Sequence, residues 1–418
     1  MFSFSVLIPM MIETFLSLIT DWIFWLIVIL VAMQYQRIAR SSQYLFKLPD
    51  ITSWRPALLA VFFGLAGGLF GSILLIIVGI SILELGIGYL WITAIILMLI
   101  RQRFLCFAYA GGVLSLSSLI FGFPDVSVAQ LMGLVAILHM VESVLILFSG
   151  HLEAFPIYIR TKQGQVVGGY NLQKFWPLPL IALMALMMPE QEILKSAVAM
   201  PKWWPLIKPE LLQGTGEPMY VLMPVVAALG YGDIAITTLP QDKTRMAALE
   251  LAAYSLILLL LAITASYVPE LAFVPALFGP LGHEFIIYID QRRELQGEPM
   301  FVQPKHGVMI LYALPKSPLK KARVRNGDII LSLNGYSVNN QYELRGILLE
   351  TQGLIEIEYL SGKRRVLKKV IIETGTMEHP GFIAVPGGYE YSFMEISGSV
   401  SRLRPWWDKI RVRLSKFL

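Results

Sequence analysis

The stretch GVMILYALPKSPLKKARVRNGDIILSLNGYSV, residues 307–338, decides the fold of the C-terminal part of the chain. Its apolar runs are short and separated by turn residues, which is typical of a soluble α+β domain. The order of elements is two strands, a helix and a closing hairpin. They are predicted at Gly307–Ala313, Asp328–Leu333, Asn339–Glu350, Ile355–Leu360 and Val366–Ile372. The whole domain is predicted to occupy residues 298–375.

This run resembles bacterial PDZ domains. The features that match are Pro315-x-Ser317-Pro318, Asn326-Gly327-Asp328 and Asn334-Gly335, in the order that the family has them. Ala322-Arg323-Val324 replaces the small residue and glycine that usually precede the Gly-Asp turn. The resemblance implies that an extended peptide binds between a sheet edge and an adjacent helix. The residues implied are Met300, Phe301, Val302, Tyr342, Arg345, Gly346 and Leu349.

Upstream of this domain the composition is that of a membrane protein. The chain is 56% hydrophobic and 15% charged, whereas soluble domains have about 25% charged residues. A spanning helix needs about 20 apolar residues, and we predict a polytopic α-helical membrane domain of about seven to nine spans over residues 1–292. The candidates are Phe15–Met33, Ala57–Ile80, Leu85–Ile100, Phe104–Phe123, Val128–Phe148, Phe175–Met188, Met219–Leu239, Met246–Ala265 and Leu271–Ile289.

The distribution of basic residues between these spans predicts their orientation. Lys and Arg occur in alternate loops, a bias that marks the cytoplasmic side. They are Arg37, Arg40, Lys47, Arg55, Arg101, Arg103, Arg160, Lys162, Lys174, Lys243 and Arg245. This bias predicts an N-terminus outside the cell, and a cytoplasmic PDZ domain and C-terminus if Leu271–Ile289 crosses the membrane.

The end of the chain has a different pattern. Residues 376–400 are predicted as a linker, and residues 401–418 as a basic amphipathic helix. A helix with aromatic residues on one face and basic residues elsewhere tends to lie in the headgroup region of an anionic membrane; docking on another part of the chain is the alternative. The predicted interface residues are Trp406, Trp407, Lys409, Arg411, Arg413, Lys416 and Phe417.

Enzyme motifs are incomplete. Gly230-Tyr231-Gly232-Asp233 matches the GxGD pattern of intramembrane aspartyl proteases, but that chemistry needs a second aspartate, and none occurs in a matching motif. His283-Glu284 lacks the second histidine of the zinc motif HExxH. The prolines in Leu271–Ile289 hint at the broken helix of a transporter, without a second copy. We therefore expect no enzyme activity, no metal and no cofactor, with a GxGD protease or a transporter as alternatives.

Many spans followed by one PDZ domain resemble the MinJ family, membrane proteins of the division-site selection (Min) system of Gram-positive rods. The GYGD and GHEF segments add to the resemblance. It implies a membrane scaffold or adaptor for cell division, acting through protein–protein interaction. The implied partners are the curvature-sensing protein DivIVA, the inhibitor MinD and other division proteins, and not nucleic acid. The implied location is the cell membrane, with enrichment at the septum and poles.

Overall fold

Apolar helices form the larger part of the structure. The computed structural model describes residues 4–46, 54–161, 163–187, 200–208, 218–315, 317–362, 365–374, 380–387 and 394–395. Within these ranges, the N-terminal part contains eight α-helices: α1 Phe4–Thr20, α2 Trp22–Phe46, α3 Arg55–Val78, α4 Ile87–Ile100, α5 Phe107–Phe121, α6 Val128–Ser149, α7 Pro240–Tyr267 and α8 Phe273–Gln296. The predicted helix at residues 401–418 lies outside the described residues.

Six helical segments of the described chain are long and apolar enough to cross a membrane. They are Trp22–Ser41, Arg55–Val78, Ile82–Ile100, Val128–Ser149, Pro240–Tyr267 and Pro269–Gln296. Leu7–Thr20 and Phe107–Phe121 are apolar but shorter. Large apolar side chains such as Leu99 and Phe121 are exposed on the outer faces, as contact with lipid requires.

The first predicted span, Phe15–Met33, is divided at Asp21. The Asp21 carboxylate accepts a hydrogen bond of 2.7 Å from the backbone N–H of Ile23, which is the geometry of a helix N-cap. Asp21 therefore ends α1 and begins α2, and the prediction of a single helix there was wrong.

The predicted spans Phe175–Met188 and Met219–Leu239 are also wrong as helices. Both segments form strands, β3 Lys174–Met187 and β4 Pro218–Tyr231, paired antiparallel along their whole length. Proline inside a helix removes a hydrogen bond and clashes with the preceding turn. Pro177 and Pro179 are adapted instead to a strand edge, where no donor is needed.

A glycine face on α3 lets β3 approach closely. A Cβ at Gly64 would lie 2.1 Å from the Pro177 carbonyl oxygen, and a Cβ at Gly68 would lie 2.2 Å from that of Pro179. Only glycine fits at these two positions, because the neighbouring atoms belong to the backbone.

Hydroxyl groups satisfy the edge of β3 that faces the helices. Ile181 N–H donates to Ser72 Oγ at 2.8 Å, and Ala185 N–H donates to Ser81 Oγ at 3.1 Å. At the other end of β3, Phe175 N–H donates to the Tyr35 hydroxyl at 3.1 Å. An apolar environment offers no water to unpaired backbone groups, so these hydroxyls make a strand possible among the helices.

The hairpin enters the bundle and returns. Lys174 pairs with Tyr231 at one end, and Met187 pairs with Pro218 at the other. Each strand has 14 residues, a length of about 45 Å at roughly 3.3 Å per residue. The β3–β4 hairpin replaces the two predicted spans Phe175–Met188 and Met219–Leu239. Because it begins and ends on the same side, as two spans would, the later loops stay on the side that was predicted for them.

Two sheets lie beyond the bundle. The first has the order β12-β1-β2-β5, with β1 Phe155–Arg160, β2 Val166–Asn171, β5 Ile234–Ala235 and β12 Met394–Glu395. We call it the membrane-proximal sheet. The second has the order β10-β9-β7-β6-β11 and belongs to the C-terminal unit, residues 298–387.

The four strands and the helix predicted for the C-terminal unit are confirmed as β6 Val308–Ala313, β7 Ile329–Leu333, α10 Gln341–Glu350, β9 Gly353–Ser361 and β10 Val366–Thr374. The unit also contains two shorter elements, α9 Pro318–Lys321 and β8 Tyr336–Ser337. The predicted linker 376–400 differs, because it contains β11 Phe382–Ala384, which pairs with β6, and β12, which pairs with β1.

Candidate functional site

The predicted peptide-binding face of α10 is open to solvent. Asn340 caps the helix by accepting from the N–H groups of Tyr342 and Glu343. Tyr342 is 68% exposed, Arg345 is exposed, Leu349 is partly exposed, and a Cβ at Gly346 would meet no atom. The opposite face packs inward through two buried leucines, Leu344 and Leu348. The helix therefore has the two-sided character that the sequence predicts.

Met300, Phe301 and Val302 lie elsewhere. The Phe301 carbonyl accepts from Gly168 N–H of β2 at 2.9 Å, and Met300 N–H donates to the Ile236 carbonyl at 2.9 Å. The Phe301 side chain is fully buried, 5.2 Å from the ring of Tyr170. The structure does not place these three residues as an edge beside α10, and Phe301 already pairs with Gly168 of β2.

One of the two edge strands of the C-terminal sheet is β11, and the other is β10. It pairs with β6, and its Phe382 and Ala384 side chains share a core with Leu344 and Leu348 of α10. The Ala384 carbonyl, however, accepts a hydrogen bond of 2.8 Å from the Tyr158 hydroxyl of β1. Sequence reasoning missed β11 because it is three residues long and lies beyond the predicted end of the domain.

A shared apolar core joins the C-terminal unit to the membrane-proximal sheet. One side contributes Met309, Leu311 and Ile383, and the other contributes Tyr158 and Tyr170. The Tyr170 hydroxyl donates to the Leu311 carbonyl. Burial raises the pKa of Tyr170 far above its usual value, so this hydroxyl remains a donor at any physiological pH. The C-terminal unit is thus docked on the membrane domain.

The GYGD motif ends in a buried ion cluster. Lys243 of α7 lies 3.2 Å from an Asp233 oxygen, 2.5 Å from Asp290 and 3.5 Å from Glu294. Asp233 also accepts from the Tyr231 hydroxyl at 2.9 Å and from Ile234 N–H at 2.7 Å. Burial raises the pKa of Asp233 to about 7, and the ion pair with Lys243 limits that rise.

This arrangement disfavours aspartyl protease chemistry. The two carboxylates of such a site share a proton, whereas Asp233 and Asp290 share the ammonium group of Lys243. A second aspartate, Asp290, therefore lies near Asp233 although it is not in a matching motif, and it is held in an ion pair with Lys243. The cluster connects the end of β4 to α7 and α8.

The His283-Glu284 pair is also engaged. Glu284 forms an ion pair of 2.7 Å with Arg103 and accepts from the Tyr109 hydroxyl at 2.5 Å. The His283 ring lies 5.1 Å from that of His139 on α6. Spacing along the chain gave no indication of this approach, because the two histidines are on different helices.

Comparison with known proteins finds similarity along most of the chain. The chain matches no protein-family model. It is 25% identical over 364 residues to the cell division topological determinant MinJ of Bacillus subtilis, a match that covers 81% of this chain and 85% of MinJ. It is 26% identical over 114 residues to the putative serine protease HhoA of Synechocystis, covering 24% of this chain and 28% of HhoA. The chain is therefore similar to MinJ along most of both proteins.

Proposed function

We propose that this protein is a membrane-embedded scaffold of cell division that breaks no bond. The observation that carries the proposal is the similarity to MinJ over 81% of the chain, together with six helices able to cross a membrane. In this proposal the helices fix the protein in the cell membrane. The C-terminal unit, acting as a cytoplasmic PDZ domain, and the membrane domain recruit division and polarity proteins of the DivIVA and MinD types.

The exposed face of α10 is the proposed contact for a partner peptide. A PDZ-type site combines a strand edge, which gives main-chain hydrogen bonds, with side-chain pockets from a helix. Tyr342 and Arg345 supply an aromatic ring and a cation, which are common anchors of interfaces. The backbone of Phe301 already pairs with Gly168 of β2, so a peptide that binds along this edge must first break that pairing.

The C-terminal residues 401–418 are proposed as a second, lipid contact. Their tryptophans and basic side chains fit the headgroup region of the anionic inner leaflet. The membrane helices that precede the C-terminal unit and the helix that follows it would then both hold this unit close to the bilayer.

The ion cluster around Lys243 supports a scaffold over a protease. A scaffold needs rigid connections between its membrane and soluble parts, and the cluster joins α7 and α8 to the strand that leads into the membrane-proximal sheet. Peptide hydrolysis by an aspartyl dyad needs both carboxylates free to act on water, and Lys243 binds both.

The test is the location of a fluorescent fusion in dividing cells of the native host. We expect the signal at septa and poles, unchanged by Asp233→Asn if this carboxylate has no catalytic role. A Tyr342→Ala, Arg345→Ala double variant should stay in the membrane and lose its enrichment at septa. The control Tyr336→Ala, at an exposed residue of β8, should keep that enrichment. A uniform signal for the unaltered protein would refute the division scaffold.

A further inference from the structure

Three helices bring a thiol and two imidazoles together inside the bundle. Cys106 precedes the first turn of α5, His139 lies within α6, and His283 lies within α8. The Cys106 Sγ atom is 3.1 Å from His139 Nε2 and 3.7 Å from His283 Nε2. All three potential ligand atoms lie within 4.8 Å of one another. These residues are far apart in the chain, so only the fold creates the cluster.

The His139 ring has a defined tautomer. Its Nδ1 atom lies 2.7 Å from the carbonyl oxygen of Val135. A carbonyl can only accept, so Nδ1 carries the proton of the neutral ring. The lone pair is therefore on Nε2, the atom that faces Cys106. A second hydrogen bond of this kind is how proteins orient histidines that bind metals.

The His283 ring is oriented in the same way. Its Nδ1 atom lies 3.4 Å from the Tyr109 hydroxyl. That hydroxyl donates its own proton to Glu284, which also forms an ion pair of 2.7 Å with Arg103. The Tyr109 oxygen is then an acceptor for the Nδ1 proton, which leaves the Nε2 lone pair of His283 also directed at Cys106.

The donors and acceptors of the cluster do not balance. Two Nε2 lone pairs face one thiol, and a thiol has one proton. The thiol can therefore donate to only one of the two Nε2 atoms, although polar atoms inside a protein are almost always paired. A cation bound to a thiolate satisfies the sulfur and both nitrogens at once.

We propose that Cys106, His139 and His283 bind one zinc ion. With Zn–S near 2.3 Å and Zn–N near 2.05 Å in tetrahedral geometry, sulfur and nitrogen ligands are about 3.6 Å apart. The distances in this cluster, 3.1 and 3.7 Å, lie on either side of that value. A small outward rotation of the His139 ring makes room for the ion. Thiolate and imidazole are the ligands that zinc prefers among the common biological divalent ions.

The Cys106 sulfur already accepts one backbone hydrogen bond. The backbone N–H of Ala108, in the first turn of α5, donates to Cys106 Sγ at 3.4 Å. The start of a helix favours negative charge, so it stabilises the thiolate that forms when the thiol proton leaves on zinc binding. Three protein ligands leave a fourth position for a water molecule.

The ion would clamp three helices that are distant in sequence. Glu284 is the residue after the proposed ligand His283, but its carboxylate already binds Arg103 and Tyr109. Its role is therefore to orient the His283 ring through the Tyr109 hydroxyl. The proposed scaffold role does not involve a metal, so this site goes beyond it. The site also differs from the sequence analysis, which predicted no metal.

The experiment measures metal in the full-length protein purified in detergent without a polyhistidine tag. We expect about one zinc per chain by mass spectrometry of the metal content, and near-complete loss of zinc in Cys106→Ser and in His139→Ala. The matched control is His306→Ala, because His306 is an exposed histidine of the C-terminal unit. It should retain its zinc.

Cobalt substitution keeps the test valid if a variant folds poorly. Cobalt-loaded unaltered protein should show the visible bands of a tetrahedral ion and a thiolate charge-transfer band, and the latter should be absent in Cys106→Ser. Zinc well below one per chain in the unaltered protein, or zinc content equal in Cys106→Ser and His306→Ala, overturns the proposal.

Discussion

Gly68→Ala tests whether the contact between α3 and β3 is as close as the structure has it. The added Cβ would lie 2.2 Å from the Pro179 carbonyl oxygen, and real Cβ contacts are essentially never under 3.0 Å. The strand must therefore retreat by about 0.8 Å, as the neighbouring atom is backbone and cannot rotate away. The hydrogen bond from Ile181 N–H to Ser72 Oγ, now 2.8 Å, would lengthen to about 3.6 Å and cease to be one.

The magnitude follows from these two changes. Overpacking costs about 1–3 kcal/mol, and a lost hydrogen bond costs about 0.5–1.5 kcal/mol. Alanine returns about 0.5–1 kcal/mol through its better helix propensity. The net loss is about 2 kcal/mol, which lowers the melting temperature by roughly 4–8 °C for a domain of this size.

The assay is thermal unfolding of the full chain in detergent, followed by light scattering and tryptophan fluorescence. The matched control is Gly88→Ala in α4, where a Cβ would have no atom within 4 Å. It should melt at the same temperature as the unaltered protein or higher. If Gly68→Ala has the same melting temperature as Gly88→Ala, β3 does not lie against α3 and the account of the hairpin is refuted.

Three other substitutions follow from the same structure. Lys243→Met leaves the cluster carboxylates buried without their cation, at a cost of about 3–5 kcal/mol, whereas Lys369→Met, between exposed partners, should leave thermal unfolding unchanged. Phe301→Ala removes a fully buried ring and should cost about 3–5 kcal/mol, seen as faster proteolysis between the membrane domain and the C-terminal unit; the exposed Tyr336→Ala is its control. Tyr342→Ala should change stability by less than about 0.5 kcal/mol yet reduce septal enrichment of a fusion, and normal enrichment would argue against the α10 site.

The C-terminal unit was predictable because its signals are local. The alternating apolar residues in Ile355–Leu360 and the Asn-Gly turn at Asn334 each act on neighbours in the chain. Most of the long apolar helices were also predicted, because the length and apolar composition of a segment are enough to recognise such a helix.

The hairpin was not predictable from composition. A long apolar run such as that of β3 satisfies the requirement for a spanning helix, and only the spacing of Pro177 and Pro179 speaks against it. What makes the strand possible is remote, namely Gly64 and Gly68 on α3 and the hydroxyl of Ser72.

The clusters of polar side chains were hidden for the same reason. Lys243 meets Asp233 and Asp290 only when α7 and α8 pack together, and Cys106 meets His139 only when α5 lies against α6. A motif search compares neighbours along one segment, so an arrangement contributed by several helices gives no signal.

The dependence of β3 on α3 also sets an order of events during synthesis. The ribosome completes α3 (Arg55–Val78) long before it reaches β3 (Lys174–Met187). Until then the glycine face of α3 and the hydroxyls of Ser72 and Ser81 have no strand to pack against. The insertion machinery must therefore keep this face shielded, or hold the bundle open, until the hairpin arrives. A chain that stops before Met187 should accordingly be a preferred substrate of membrane quality control.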